Sequence, residues 1–125
     1  MTYLDTHVAV WLYAGDTKRL SDTARRQIDR AKVLAISGAS VLELELLHEI
    51  GRIRVRSAQI LAALYKDIGL RVCDISFDKI GSEAADIKWT REPFDRLIVA
   101  NAQLQKAPLV SKDEQIRRHY RNAVW

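Results

Sequence analysis

The 125-residue sequence predicts an α/β fold, a three-layer α/β/α sandwich with a mostly parallel sheet of about five strands. Two observations carry this expectation. Short apolar runs rich in β-formers alternate with longer stretches of helical periodicity, as they do when crossover helices join parallel strands. Polar residues also recur just past the predicted strands, where the carboxyl ends of a parallel sheet share one edge and ligands bind.

The first strand is Tyr3-Leu4, followed at Asp5-Thr6 by a helix over 7–14 and then a second helix over 22–31. A strand over 33–36 leads through the polar residues Ser37 to Ser40 into a helix over 40–51. There Ser40-Val41-Leu42-Glu43 has the S-x-x-E pattern of a capping box. A helix over 57–67, a strand within 70–75 and a helix over 78–88 come next. Pro93 then suits the first position of a helix over 93–106. Leu109-Val110 is a fourth strand, and Ser111-Lys112-Asp113-Glu114 opens a short helix near 112–119 with a second capping-box pattern. Ala123-Val124-Trp125 can add a last strand.

Two prolines, five glycines and no repeat or low-complexity segment leave no obvious place to divide the chain, so residues 1–125 are expected to be one domain. Apolar residues make up 48% and charged residues 29%, an ordinary globular mixture. No stretch approaches the roughly 18 apolar residues of a membrane span. The opening Met1-Thr2-Tyr3-Leu4-Asp5 lacks a basic segment leading into an apolar one, so a cytoplasmic protein without membrane association is expected. The single cysteine, Cys73, excludes an internal disulfide and a cysteine-based zinc site, and its apolar surroundings suggest a buried structural thiol. A net charge of +4 suits a polyanionic partner without specifying one. The basic residues cluster at Lys18, Arg19, Arg25, Arg26, Arg30 and Lys32, at Arg52, Arg54 and Arg56, and at Arg117, Arg118 and Arg121.

Four acids stand out, each with a local explanation beside a functional one. Asp5 can cap the first helix. Glu43 can serve the Ser40 capping box, yet it shares a helical stripe with Leu47 and Ile50, while Glu45 lies about 200° around the helix on a polar stripe with Glu49 and Arg52. Asp95 can complement the positive end of a helix dipole, yet it heads the stripe Ile98, Val99 and Ala102. Asp113 is left without a capping role if Ser111 and Glu114 close their own box. Carboxylates that converge repel one another, and a hard divalent cation such as Mg²⁺ or Mn²⁺ is the natural remedy. Such a site suits phosphodiester hydrolysis.

His7, His48 and His119 fall in no metalloprotease pattern and read as structural or surface residues. No P-loop and no G-x-G-x-x-G fingerprint is present. A receiver domain is excluded because Asp5 stands alone and residues 46–66 contain no Asp, and a D-x-D phosphatase because the chain reads Asp5-Thr6-His7.

Four blocks in order resemble VapC-type PIN domains: Tyr3-Leu4-Asp5-Thr6-His7, Ser37-Gly38-Ala39-Ser40-Val41-Leu42-Glu43, Pro93-Phe94-Asp95-Arg96-Leu97-Ile98-Val99-Ala100 and Leu109-Val110-Ser111-Lys112-Asp113. The resemblance implies a PIN-like fold and a metal-dependent ribonuclease, the toxin of a type II toxin–antitoxin pair. It implies that Asp5, Glu43, Asp95 and Asp113 hold Mg²⁺ or Mn²⁺, with Asp5 and Asp95 the most direct ligands and Ser111 and Thr6 in support. It further implies an RNA substrate, a homodimer and a cognate VapB-type antitoxin. The alternative is a catalytically silent PIN fold that binds RNA or protein. Lys88-Trp89-Thr90-Arg91-Glu92 departs from the histidines and Asp that many relatives carry before P-F-D-R, which bears on substrate preference.

Overall fold

The structure, a computed structural model, describes residues 1–125. Five strands, β1 (Thr2–Leu4), β2 (Leu34–Ile36), β3 (Arg71–Val72), β4 (Leu109–Val110) and β5 (Ala123–Val124), form one sheet in the order β3-β2-β1-β4-β5. Every pairing is parallel. Seven α-helices cover it: α1 (Thr6–Ala14), α2 (Asp22–Arg30), α3 (Gly38–Glu49), α4 (Ser57–Ile68), α5 (Phe77–Ala85), α6 (Pro93–Leu104) and α7 (Glu114–His119). The predicted α/β class and all five strands are therefore present. A single 3₁₀ turn, Thr17–Arg19, was not anticipated.

Side chains alternate across a strand, and here that alternation builds two cores. Tyr3, Ala35 and Leu109 are aligned in register and pack with Ile80, Ile98 and Ile116 from α5, α6 and α7. Leu4, Ile36 and Val110, one residue further along, pack with Val8, Ile28, Leu44 and Leu64 from α1 to α4. Helices thus lie on both faces, and a parallel sheet requires such cover.

The strand order places the site. Chain progress runs outward from β1 through β2 to β3 on one side, and the chain then returns to β4 and β5 on the other. The reversal falls between β1 and β4, the position where an open parallel sheet leaves a crevice at its carboxyl edge. The Asp5 amide donates to the Val110 carbonyl at 3.0 Å, which carries the β1–β4 pairing to the first residue of that crevice.

Four local expectations are corrected. The helix after β2 begins at Gly38, capped by Ser37, whose hydroxyl accepts from the Ala39 amide. Ser40 is therefore an interior, fully buried residue and not a cap, which frees Glu43 from a capping box. The 70–75 run yields only Arg71–Val72, both exposed. Cys73 lies past that strand and is half-buried, its sulfur accepting from the Tyr3 hydroxyl and Asn101 Nδ2, both at 3.0 Å. Ile50, read as an inward residue of the α3 stripe, is exposed, and Leu44 is the apolar residue that α3 buries.

No helix is long and apolar enough to cross a membrane. Leu4 is completely buried at the centre of the sheet, so Leu4→Ala is expected to lose about 2–5 kcal/mol of stability, measured as the shift in a urea unfolding curve.

Candidate active site

Four carboxylates, Asp5, Glu43, Asp95 and Asp113, line one cavity of about 400 Å³ together with His7, Val8, Trp11 and Lys112. Each acid arrives from a different element. Asp5 follows β1 as the N-cap of α1, its Oδ1 accepting from the Thr6 amide at 2.8 Å. Its other oxygen accepts from the Ser111 hydroxyl at 2.7 Å, across the β1–β4 seam. Asp5 is thus a cap and a lining residue at once, and both of its oxygens have donors.

Glu43 lies on the second turn of α3. The first turn of that helix is docked on α1 through the Thr6 hydroxyl, which donates to the Ser40 hydroxyl at 2.8 Å in a buried contact. Asp95 is the third residue of α6, behind Pro93 and the N-cap Glu92, whose carboxylate accepts from the Asp95 amide at 2.6 Å. The stripe it heads is buried as expected at Ile98, Val99 and Ala102. Arg96 secures this end of α6: its guanidinium donates to the Ala84 carbonyl at 2.9 and 3.1 Å and to that of Ala85 at 3.1 Å. Those bonds satisfy carbonyls at the C-terminus of α5, where a cation is favoured.

Asp113 departs from its predicted part. It is the N-cap of α7, with Oδ1 accepting from the Ile116 amide at 2.9 Å. Ser111, expected to cap, instead accepts from the Asp113 amide at 3.1 Å and gives its hydroxyl proton to Asp5. Asp113 still reaches the cavity from its cap position.

The electrostatics follow from crowding. Burial pushes the Asp5 carboxyl up, opposed by its bonds from Ser111 and Thr6. Burial likewise raises Glu43, with Asp5 and Glu92 adding repulsion. Asp95 is pushed up to about 7, first by burial and then by the neighbouring charges of Glu92, Asp5, Asp113 and Glu43. Lys112 is the only lysine or arginine in the lining, so four acids face one fixed positive charge.

No three Asp, Glu, His or Cys side chains close into a ready-made ion-binding cluster. The all-oxygen donor set and the room around it instead match a hard cation that keeps several waters and meets part of its ligands through them. His7 and Trp11 had not been singled out as site residues. Their signal was modest, an i, i+4 pair on the helix that Asp5 caps.

The fold is that of the PIN domain, and the chain belongs to that family, whose model matches residues 2–122. Within it the chain is similar to Ribonuclease VapC22 of Mycobacterium tuberculosis, 32% identical over 123 residues that cover 93% of this chain and 89% of that protein. Among solved structures it is similar to a toxin–antitoxin complex from Klebsiella pneumoniae, with a TM-score of 0.71, 17% identity, and coverage of 100% of this chain and 97% of that one. It is also similar to VapBC2 from Rickettsia felis bound to a DNA fragment from their promoter, with a TM-score of 0.65, 19% identity, and coverage of 94% and 92%.

A carboxyl raised in the folded state holds a proton that the unfolded chain has already lost. Its stabilising contribution is therefore full below the unfolded value near 4 and is lost as pH rises through the folded value, which for Asp95 is about 7. Asp5 and Glu43 act with the same sign. The ion-free protein is expected to lose thermal stability between roughly pH 4 and pH 7. Asp95→Asn should flatten that loss and be the more stable of the two at the upper end. An unchanged slope in thermal melts of the variant would refute the assignment.

Proposed function

We propose that this protein is a divalent-metal-dependent endoribonuclease and the toxin of a type II toxin–antitoxin pair. The convergence of four carboxylates on one crevice at the β1–β4 switch point is the observation that carries the reading. The likeness to a VapC ribonuclease supports RNA as the substrate. The likeness to toxin–antitoxin complexes supports a VapB-type antitoxin as partner. Leu42 and Leu46 on α3 and Ile50 at its C-cap, all exposed, offer apolar surface for protein association, and a homodimer is the proposed assembly of the toxin itself.

Asp5 and Asp95 are proposed as the direct ligands of Mg²⁺ or Mn²⁺, with Glu43 and Asp113 completing the site directly or through water. Bound there, the ion supplies an acidified water and neutralises charge on the attacked phosphate. Ser111 fixes the Asp5 carboxylate, and Thr6 fixes the first turn of α3, one turn ahead of Glu43. Glu43 and Asp113 orient the attacking water. Lys112 offers a positive charge to the phosphate at the rim of the cavity. The reaction is hydrolysis: water attacks phosphorus in line with the leaving O3′, the P–O3′ bond breaks, and a 5′-phosphate and a 3′-hydroxyl result.

Incubation of the purified protein with total RNA and Mg²⁺ or Mn²⁺ should yield discrete cuts that EDTA abolishes. Asp5→Asn and Asp95→Asn should slow cleavage by roughly 10²–10³-fold while leaving the circular dichroism spectrum intact, because an amide oxygen can still cap α1 and the cap of α6 is Glu92. Full activity in either variant sinks the site assignment, and no cutting by folded wild-type protein favours a silent binding module.

The chemistry of the new ends is a separate check. End-mapping should find 5′-phosphates, whereas a 2′,3′-cyclic phosphate would show that the ribose hydroxyl, and not water, is the nucleophile.

A further inference from the structure

The acids account for the floor of the crevice but not for its aromatic wall. His7 and Trp11 lie one turn apart on α1 and both line the cavity, with ring centroids 6.3 Å apart. The helix rises about 1.5 Å per residue, so Trp11 stands roughly 9 Å along α1 from Asp5, a separation that a nucleotide's sugar and base can span from its phosphate. Trp11 is half-buried and held on its other sides. Trp125 meets it edge-on with centroids 5.9 Å apart, and the Arg19 guanidinium lies over the ring, 5.8 Å from its centroid.

Arg19 is brought there by the turn that ends α1. Gly15 takes the left-handed conformation, φ 71°, that glycine adopts without strain, and the 3₁₀ turn after it ends in Arg19. Asp16 fixes the guanidinium at 2.7 Å. Trp89 provides the contrast: its ring is stacked on His119, with centroids 4.9 Å apart and planes 6° from parallel, and it does not line the acidic cavity.

We propose that Trp11 is a substrate-positioning residue, stacking a base of the RNA strand whose phosphate sits among the acids. A rigid indole beside fixed positive charge is the combination that holds single-stranded nucleic acid with little regard to sequence. Trp11 therefore sets where along the strand the scissile phosphate falls, and selection among bases belongs to other parts of the surface. This inference rests on the nuclease reading above.

The test compares two fluorescein-labelled single-stranded RNA oligomers, one with all its bases and one abasic through the middle, by anisotropy in Ca²⁺ with strand integrity checked on a gel. Wild-type protein should prefer the base-bearing strand by roughly 5- to 150-fold, the range that one stacked base contributes. Trp11→Ala should lose that preference while holding the abasic strand as before, and Trp11→Phe should retain most of it. Trp11→Leu, which fills much of the space without a π face, guards against loss of folding and should behave as the Ala variant does. A preference that survives in the Ala and Leu variants, or a loss of affinity for both strands alike, overturns the proposal. Cleavage by wild-type protein in Mg²⁺ or Mn²⁺ keeps the two readings apart. If it cleaves RNA without preferring the base-bearing strand, stacking alone falls; if it neither binds nor cleaves, the nuclease reading falls too.

Discussion

The register between β1 and β4 is the constraint on which the site depends. Leu4 pairs with Val110, so Asp5 and Ser111 leave the sheet side by side. Their side chains bond at 2.7 Å although 106 residues separate them in sequence. Asp113 follows two residues later, positioned by the same Ser111 hydroxyl. A one-residue slip of either strand would exchange the faces of Leu4 and Val110, break the second core and carry the serine away from the aspartate. The apolar layers therefore fix the polar geometry, because only one register buries both sets of alternating side chains.

The same economy governs α3 and α6. Each begins beside the crevice with an acid in its first two turns and packs apolar side chains behind it, α6 through a buried stripe and α3 through Leu44, so the packing that holds the helix also aims the carboxylate. Leu44 anchors α3 below Glu43, and Ile98 and Val99 anchor α6 below Asp95. Arg96, next to Asp95, is drawn away to the end of α5. The guanidinium nearest in sequence is thereby committed to carbonyl oxygens, and the carboxylate charge is left for something else to neutralise.

Much of this was legible in the sequence. Asp5, Glu43 and Asp95 each followed a predicted strand or headed an apolar stripe, and short β-forming runs stood apart from stretches of helical periodicity. The two capping boxes failed for a common reason. A local pattern assumes that a serine hydroxyl is free to serve its own helix, but Ser40 accepts from Thr6 and Ser111 donates to Asp5. These tertiary bonds move the cap to Ser37 in one case and to Asp113 in the other. His7 and Trp11 escaped notice as site residues because the wall they form depends on how α1 is rotated over the sheet, which helical spacing alone does not set. β3 was overestimated because exposed Arg71 and Val72 sit inside an apolar run whose first residue, Leu70, is buried ahead of the strand and whose last three lie in the loop beyond it.

The central position of β1 has a consequence for how the protein is made. Its first partner, β2, is synthesised soon afterwards, but β4, Ser111 and Asp113 emerge more than a hundred residues later. Until they do, the crevice lacks one wall, the Asp5 carboxylate lacks its serine donor, and the second core is open along the β1 edge. A growing chain thus carries no complete crevice until the β4 segment has joined the sheet. Assembly waits on the β4 segment, and the last pairings of the sheet complete the four-acid crevice.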